Sequence, residues 1–245
     1  MDKKVICFSL WGNDLKYTYG AIRNAEIAKT VYPDWICRYY IGKSTDQSVI
    51  EELNLLDNTE IILMDEDGDW TGMFWRFHAA SDPTVSVMLS RDSDSRVCYR
   101  EKFAVEEWLN SDKSFHIMRD HPCHQTQILG GMWGVKNPKL SNIKTLIDNY
   151  TKGNFWQVDQ NFLREVIYPL IVDDCFVHDQ YCKYNSHSRH FPYAKVGELA
   201  RLRDDGTPGY FVGKTYLYGD KGDVDGGCCW IVTGKLTDLS IRKMS

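Results

Sequence analysis

The 245-residue sequence predicts an α/β fold, in which a mostly parallel sheet is flanked by helices. The first observation is that strand-like and helix-like segments alternate at the start of the chain. The second is the run Val5–Leu10, which is apolar apart from one serine and is typical of a strand buried on both faces of a parallel sheet. The third is another apolar run, Thr84–Ser90, which two carboxylates follow closely. We therefore expect a ligand crevice outside the carboxyl ends of these strands.

The opening segments follow one another as strand, helix, strand, helix and strand. A helix is expected from Tyr19 to Val31, where small and apolar residues recur near one face, and Pro33–Asp34 ends it. Trp35–Ile41 and Glu60–Met64 are the second and third strands. A short helix lies between them, and a capping box at Ser44–Gln47 opens it. This order implies parallel strands with helices on both faces of the sheet.

The rest of the chain continues the alternation less regularly. Met73–Ala80 and Glu101–Leu109 are expected to be helices on either side of the Thr84–Ser90 strand, and Phe115–Met118 the next strand. Further helices are expected after Ser141 and from Trp156. From Tyr184 onward we expect an irregular part of loops and short strands that folds over the crevice, with a mobile Gly- and Asp-rich loop at 220–227. One domain, 1–245, is expected.

The composition argues against several classes of function. A net charge of −5 and a pI near 5.8 argue against a surface that binds nucleic acid over its whole extent. No apolar run approaches the roughly 20 residues that a membrane span needs. Met1–Lys4 leads into a strand-length run and not into a signal peptide. We therefore expect a cytoplasmic protein without an integral membrane segment.

The eight cysteines are expected to be reduced and mostly buried, because several lie in apolar runs and none forms a Cys-x-x-Cys pair. His121–His124 contains zinc-type ligands, but a second ligand pair at the usual spacing is missing, so no zinc site is expected. The chain has no Gly-x-Gly-x-x-Gly segment and no complete Gly-x-x-x-x-Gly-Lys-Ser/Thr segment. Dinucleotide and P-loop sites are therefore unsupported.

Asp92 and Asp94 are the candidate metal ligands. In extended chain they point to the same side, where a shared cation would offset their repulsion. Oxygen ligands suit Mg²⁺ or Mn²⁺, and Mg²⁺ commonly completes its shell with substrate phosphates. Arg91 and Arg96 flank the pair and could bind the same anion. The alternative is a polar turn that closes the strand, with both arginines in surface salt bridges.

Further candidate residues lie at the ends of predicted strands or at the starts of predicted helices. Ser9 to Asn13 follow the first strand, where open α/β sheets bind nucleotides. Arg76 is a permanent cation among bulky apolar neighbours, and it either binds phosphate or extends to the surface. Asp120 and His121 follow the Phe115–Met118 strand. Asp159 lies at a helix N-terminus, where the helix dipole alone would favour a carboxylate.

An apolar strand that ends in Asp92–Ser93–Asp94 resembles the Asp-x-Asp motif of GT-A-fold glycosyltransferases. Ile128–Val135 resembles their Gly-containing segment, in which backbone lies close to the donor sugar, and a bulged strand is the alternative. Asp159–Gln160 resembles their Asp-Gln segment, and the resemblance covers roughly residues 3 to 180. The chain departs from the family-8-type retaining enzymes because it lacks a C-terminal His-x-x-Gly-x-x-Lys-Pro. The third metal ligand is therefore unassigned, with His178 as the candidate and a structural histidine as the alternative.

The resemblance implies a GT-A-like enzyme that moves a sugar from a UDP- or GDP-sugar to a glycan, glycoprotein or other hydroxyl acceptor, with Mn²⁺ or Mg²⁺. Its nucleotide-binding part would be about 1–110 and its acceptor and sugar part about 111–245. Nucleotide-sugar contacts are assigned to Ser9, Leu10, Trp11, Tyr19, Arg76, Arg91, Asp92, Ser93, Gly130, Gly131 and Gln160. Metal binding is assigned to Asp92, Asp94 and His178. An inverting enzyme would use Asp159 or Asp120 as its base, and the stereochemistry stays open.

Three other classes remain open. A nucleotidyltransferase would usually carry a Gly-rich loop after the first strand, and this chain has none. A haloacid-dehalogenase-type phosphatase would carry its Asp-x-Asp directly after the first strand, whereas here Ser90–Arg91 intervenes and the motif lies much later. A non-catalytic carbohydrate-binding protein would need no paired carboxylates at a strand end.

Overall fold

The computed structural model describes residues 2–151, 153–182, 184–193 and 202–220. Its strands are β1 (Lys3–Leu10), β2 (Ile36–Ile41), β3 (Thr59–Leu63), β4 (Val85–Ser90), β5 (Phe115–Arg119), β6 (Trp133–Lys136) and β7 (Cys175–Asp179). Its α-helices are α1 (Leu15–Val31), α2 (Gln47–Asn54), α3 (Tyr99–Leu109), α4 (Ile143–Asp148), α5 (Val158–Phe162) and α6 (Tyr168–Ile171). The expected loop at 220–227 lies outside the described residues from 221 onward, as do Cys228 and Cys229.

The seven strands form one sheet in the order β3-β2-β1-β4-β6-β5-β7. β1 pairs in parallel with β2 and β4, β2 with β3, and β5 with β7. β6 is antiparallel to its neighbours β4 and β5. The predicted α/β class with a mostly parallel sheet is therefore confirmed. The chain order reverses between β1 and β4, which is where such sheets bind ligands.

Helices cover both faces of the sheet and create two apolar layers. The first layer packs β1 residues Ile6 and Phe8 against α1, α2 and α3. The second packs Val5 and Cys7 of the same strand against α4, α5 and a 3₁₀ helix at Trp70–Ser81. Alternate side chains of a strand point to opposite faces, so a strand covered on both sides must be apolar at successive positions.

Several helices differ from their expected bounds; α3, for example, begins two residues earlier than expected, at Tyr99. α1 begins earlier, at Leu15, because the Asp14 carboxylate caps it by accepting from the Lys16 backbone N–H at 2.9 Å. The helix expected at 73–80 is of the tighter 3₁₀ type and begins after Asp69. The helix expected from Trp156 begins at Val158 and passes into a π-helical turn at Leu163–Ile167.

The segment Ile128–Val135 is mostly loop, and its strand β6 begins only at Trp133. Cys7, Cys37 and Cys175 are buried free thiols, Cys98 is buried, and the free thiols of Cys123 and Cys182 are exposed and partly exposed. In the described part of the chain, no helix combines the length and apolar character needed to cross a membrane.

Candidate functional site

A cavity of about 480 Å³ lies at the carboxyl ends of β1 and β4, where the strand order reverses. Several separate segments of the chain meet there, among them the end of β1, the 3₁₀ helix at Trp70–Ser81, the loop after β4, the loop before β6 and the start of α5. The cavity is lined by many of the residues that the sequence indicates, namely Ser9, Leu10, Trp11, Arg76, Asp92, Ser93, Asp94, Gly130, Gly131, Asp159 and Gln160.

Arg76 connects two acidic side chains of this cavity. Its Nη2 donates to Asp159 Oδ2 at 2.7 Å, and its Nη1 donates to Asp92 Oδ1. The Arg76 and Asp159 side chains are only 6% and 4% exposed, whereas that of Asp92 is 44% exposed. Arg76 therefore fixes a buried carboxylate relative to an accessible one, with charge-assisted hydrogen bonds on both sides.

Burial and neighbouring charges shift the pKa values of these groups. Burial raises the pKa of the Asp159 carboxyl, and the adjacent Arg76 guanidinium opposes this shift. Burial, together with the charge of Asp92, raises the pKa of Asp94, while Lys16 opposes it. Burial alone would lower the pKa of Arg76, but Asp92 and Asp159 raise it, so the guanidinium stays charged.

Gly130 and Gly131 allow backbone to lie directly against the acidic side chains. A Cβ atom added to Gly131 would be 2.1 Å from Asp92 Oδ2, and one added to Gly130 would be 2.5 Å from Asp159 Oδ2. Both distances are far below van der Waals contact, so only glycine fits without movement. Ser90 Oγ donates to the Gly130 carbonyl oxygen at 2.6 Å and fixes this segment to the end of β4.

Asp94, the second carboxylate of the motif, faces Lys16 in the first turn of α1. Lys16 Nζ lies 3.2 Å from Asp94 Oδ2, and the two side chains are 25% and 16% exposed. The ammonium also lies 4.2 Å from the centre of the Tyr17 ring. Burial alone would lower the pKa of Lys16, but Tyr17 and Asp94 raise it.

Asn24 of α1 holds the loop that carries Asp92 and Asp94. Its Nδ2 donates to the carbonyl oxygens of Ser95 at 2.8 Å and Ser93 at 3.2 Å, and its Oδ1 accepts from the Val97 backbone N–H at 2.9 Å. One turn earlier, a Cβ on Gly20 would lie 2.1 Å from the Ser93 carbonyl oxygen. The Gly20–Asn24 face of α1 therefore determines the path of this loop.

Ser9 explains the one polar position in the apolar run of β1. Its Oγ accepts from the Arg76 backbone N–H at 3.1 Å and donates to the Met73 carbonyl oxygen at 3.5 Å. The serine therefore anchors the 3₁₀ helix to the sheet and helps to place Arg76 at the cavity.

Arg91 and Tyr19 were expected at the nucleotide but do not line this cavity. Arg91 is buried, and its Nε donates to Glu101 at 3.1 Å beneath the cavity loop. Tyr19 packs edge-on against Tyr218, with 5.0 Å between the ring centres. Arg96 is also buried and donates to carbonyl oxygens of its own loop. Arg91 and Arg96 are therefore buried, so the alternative interpretation that placed both of them in surface salt bridges is wrong.

Asp120 and His178 are also absent from the cavity lining. Asp120 accepts two hydrogen bonds from Arg100, at 2.9 and 2.8 Å, and is fully buried. His178 Nδ1 lies 2.8 Å from His116 Nε2, and its Nε2 lies 3.1 Å from Glu107. The structure does not bring His178 together with Asp92 and Asp94, and this contact pattern agrees with a structural histidine.

The cavity also contains residues that sequence reasoning did not assign, namely Asp14, Tyr17, Trp70, His124, Trp156 and Gln157. Of these residues, only Trp70 and Trp156 are of a type that could indicate a sugar-binding site. The sequence alone does not distinguish them from tryptophans of the core. His124 accepts a hydrogen bond at Nδ1 from the Asp120 backbone N–H at 3.1 Å. Gln157 has a left-handed φ of 68°, which is uncommon for a residue with a Cβ and typical of functional sites.

Asp92 and Asp94 have the donor chemistry for a hard divalent cation. Both carboxylates reach the cavity, and Asp92 is well exposed. Within the described residues, no group of three or more histidine, cysteine, aspartate or glutamate side chains could hold a metal ion. A two-carboxylate site fits Mg²⁺ or Mn²⁺ because such ions commonly retain water and bind substrate phosphates.

Neither a family model nor a curated protein sequence matches this chain. Among solved structures, it is similar to a glycosyltransferase involved in the glycosylation of the major capsid of PBCV-1, with 18% identity and a TM-score of 0.48 over 72% of this chain and 82% of that chain. The glycosyltransferase GlyE of Streptococcus pneumoniae TIGR4 has 14% identity and a TM-score of 0.49, over 72% of this chain and 45% of that chain.

A third similar structure is 4-diphosphocytidyl-2C-methyl-D-erythritol synthase from Anaerococcus prevotii DSM 20548. It has 12% identity and a TM-score of 0.47, over 76% of this chain and 92% of that chain. These similarities, all below 25% identity, concern the fold alone. At such identities and TM-scores, the chemistry of this chain has to be argued from its own residues.

Proposed function

We propose that this protein is a metal-dependent glycosyltransferase that moves a sugar from a UDP- or GDP-sugar to a glycan hydroxyl. The observation that carries the proposal is the grouping of Asp92, Asp94 and Asp159 around one cavity, at the strand ends where the sheet order reverses. Parallel sheets bind nucleotides at this position, and a pair of carboxylates there suits a metal–diphosphate complex.

We assign the donor to this cavity because its acidic side chains could hold a metal–diphosphate complex. The nucleoside is assigned to the β1 side, with Trp11 and Tyr17, and the diphosphate to Asp92 and Asp94. The sugar is assigned to the side where Gly130–Gly131 backbone lies against the carboxylates. This arrangement would bring the bond to be broken between the metal ligands and Asp159.

Asp92 and Asp94 would hold Mn²⁺ or Mg²⁺. When bound, the ion would neutralise negative charge that develops on the departing diphosphate. Arg76 would keep the Asp92 carboxylate oriented, and its permanent charge would lie near the same anion.

Asp159 is the proposed general base if the reaction inverts the sugar. It lines the cavity and is almost completely buried, and burial raises its pKa. A raised pKa strengthens a carboxylate as a proton acceptor, while Arg76 favours its ionised form. Asp120, the other candidate, has both oxygens engaged by Arg100.

The acceptor is proposed to be a neutral glycan because of two tryptophans at the cavity. Trp70 is 44% exposed and Trp156 is 65% exposed, and both line the cavity. Their segments are joined by a hydrogen bond from Asn154 Nδ2 to Asp69 Oδ2 at 2.6 Å. The negative face of an indole ring suits the C–H face of a pyranose, and the acidic stretch 65–69 next to Trp70 would repel an anionic acceptor.

Calorimetric titration with UDP and GDP, each with and without Mn²⁺, tests the proposal. We expect metal-dependent binding of one nucleotide by the wild-type protein, and loss of this binding in Asp94→Ala. The preferred base would identify the donor class. If neither nucleotide binds under any metal condition, the proposal is wrong and a phosphatase or a carbohydrate-binding protein becomes the better interpretation.

A further inference from the structure

Lys16 and Arg76 both neutralise carboxylates of the cavity, but their settings differ. Arg76 is almost completely buried and bridges Asp92 and Asp159. Lys16 is 25% exposed, and the structure pairs it with one carboxylate, that of Asp94. An arginine that bridges two carboxylates is a fixed part of a site, whereas a lysine is a compact charge on a flexible stem.

We infer that Lys16 is an exchangeable counter-cation of Asp94, which pairs with this carboxylate when no metal is bound and moves to the diphosphate when a metal–nucleotide complex binds. The inference rests on the proposed function, in which Asp94 is a metal ligand. It adds a residue that neither the metal nor the nucleotide assignment includes.

The first step is competition for the same atom. Lys16 Nζ lies 3.2 Å from Asp94 Oδ2, so the ammonium covers an oxygen that a divalent cation would need. A partly exposed pair of this kind contributes little to stability, so Lys16 can leave at small cost. The described residues offer no third acidic, histidine or cysteine ligand that would compensate for the lost oxygen.

The second step is the destination of the ammonium. Lys16 is the second residue of α1, two positions after the Asp14 cap and next to Tyr17, and both Asp14 and Tyr17 line the cavity. A diphosphate held at Asp94 would lie within reach of the same side chain, because the ammonium already contacts that carboxylate. Lysine is well suited to phosphate as a mobile point charge.

The consequence is a coupling between metal and nucleotide. A metal alone must displace Lys16 and leave the ammonium without an anion, whereas a metal–diphosphate complex supplies the anion that replaces Asp94. Binding of Mn²⁺ and nucleotide should therefore be mutually strengthened, and the coupling should depend on the charge at position 16.

Titration of Mn²⁺ alone, followed by calorimetry or by the free-ion electron paramagnetic resonance signal, tests the first step. Lys16→Met keeps most of the chain length and removes the charge. We expect roughly two- to fivefold tighter Mn²⁺ binding in this variant, the range that corresponds to a partly exposed ion pair. Lys16→Arg should bind Mn²⁺ as weakly as the wild type because it retains a positive charge at this position.

The matched control is Lys29→Met. Lys29 lies in the last turn of the same helix and pairs with Asp57 at 2.8 Å, with both side chains exposed. This variant removes the same charge from the protein away from the cavity, so its Mn²⁺ affinity should equal that of the wild type. Asp94→Ala should lose Mn²⁺ binding, which would show that the measured ion binds at Asp94.

The second measurement is UDP and GDP affinity at saturating Mn²⁺. Lys16→Met should bind the preferred nucleotide more weakly by about threefold or more, which is opposite in direction to its gain in Mn²⁺ affinity. Unchanged Mn²⁺ and nucleotide affinities in Lys16→Met, with normal metal-dependent nucleotide binding, would overturn the inference and leave the proposed function intact. Absence of nucleotide binding in every variant would instead refute the proposed function, and the inference with it.

Discussion

Arg76 and Asp159 are 83 residues apart in the chain and form a buried ion pair, with 2.7 Å between Nη2 and Oδ2. The pair joins the 3₁₀ helix to the start of α5, and Asp92 extends it to the open side of the cavity. Burying two charges is unfavourable unless each retains a partner. The stability of this region and the orientation of the proposed metal ligand therefore depend on one guanidinium.

Replacing Arg76 by methionine should destabilise the protein by about 3–5 kcal/mol, because the buried Asp159 carboxylate loses its counter-charge. Urea unfolding at neutral pH measures the change. The control is Arg164→Met, which breaks an exposed ion pair with Glu165 and should cost about 0–1 kcal/mol. Equal effects of the two substitutions would contradict the buried pair.

Gly131→Ala should displace Asp92, because the new methyl group would occupy the position of its Oδ2 atom. We expect a loss of about 1–3 kcal/mol in stability, as for other overpacked sites, and at least tenfold weaker Mn²⁺-dependent nucleotide binding. Gly130→Ala is the matched comparison, since its methyl group would meet Asp159 and Arg76 instead. Wild-type metal affinity in Gly131→Ala would show that Asp92 does not contribute to the site.

Asn24→Ala should loosen the loop that carries Asp92 and Asp94. The substitution leaves the buried carbonyls of Ser93 and Ser95 and the Val97 N–H without this partner, at a total cost of about 3 kcal/mol. Amide hydrogen exchange should increase at Val97. Asn54→Ala, at the exposed end of α2, should change stability by less than about 0.5 kcal/mol. Unchanged exchange at Val97 would contradict the role of Asn24.

Protein stability should fall as the pH drops below about 6.5, because two buried histidines are held neutral. Burial lowers the pKa of His116, and the neighbouring His178 lowers it further. Burial also lowers the pKa of His178, against the opposing effect of Glu107. The unfolded chain therefore binds more protons than the folded one in this range, so stability rises with pH up to the unfolded pKa and is lost below it.

Urea unfolding between pH 7.5 and 5 measures this dependence, with an expected slope of up to about 1.4 kcal/mol per pH unit for each histidine. His178→Gln should be less stable at neutral pH but should show a flatter pH profile. His187→Gln, which replaces an exposed histidine, should keep the wild-type profile. An unchanged slope in His178→Gln would show that this histidine is not held neutral.

The sequence predicts the order of the strands along the chain and the position of Asp92, Asp94 and Arg76 at the cavity, because these follow from apolar runs and from what comes after them. It does not predict the direction of β6, since a four-residue strand after a glycine loop has no pattern that distinguishes parallel from antiparallel pairing. Nor does it reveal Lys16 or Asn24, whose roles depend on how α1 packs against the loop after β4.

His178 illustrates a different limit. A histidine at the end of a strand can face a ligand crevice or a neighbouring strand, and the chain alone does not distinguish these. Here it lies within β7, which pairs with β5, so His178 lies beside Met118 in the sheet and its ring contacts His116. Gln157 is a related case, because its left-handed backbone depends on the surroundings and not on its own preference.

The antiparallel strand β6 has a consequence for synthesis on the ribosome. A nascent chain that has emerged only to residue 110 already contains β1 to β4 and α1 to α3, but β4 would then be an open edge, because β6 is its missing neighbour. Such an edge can pair with another chain until Trp133–Lys136 arrives. We therefore expect truncated chains that end between α3 and β6 to associate, and expect the complete cavity to form only after Asp159 has left the exit tunnel.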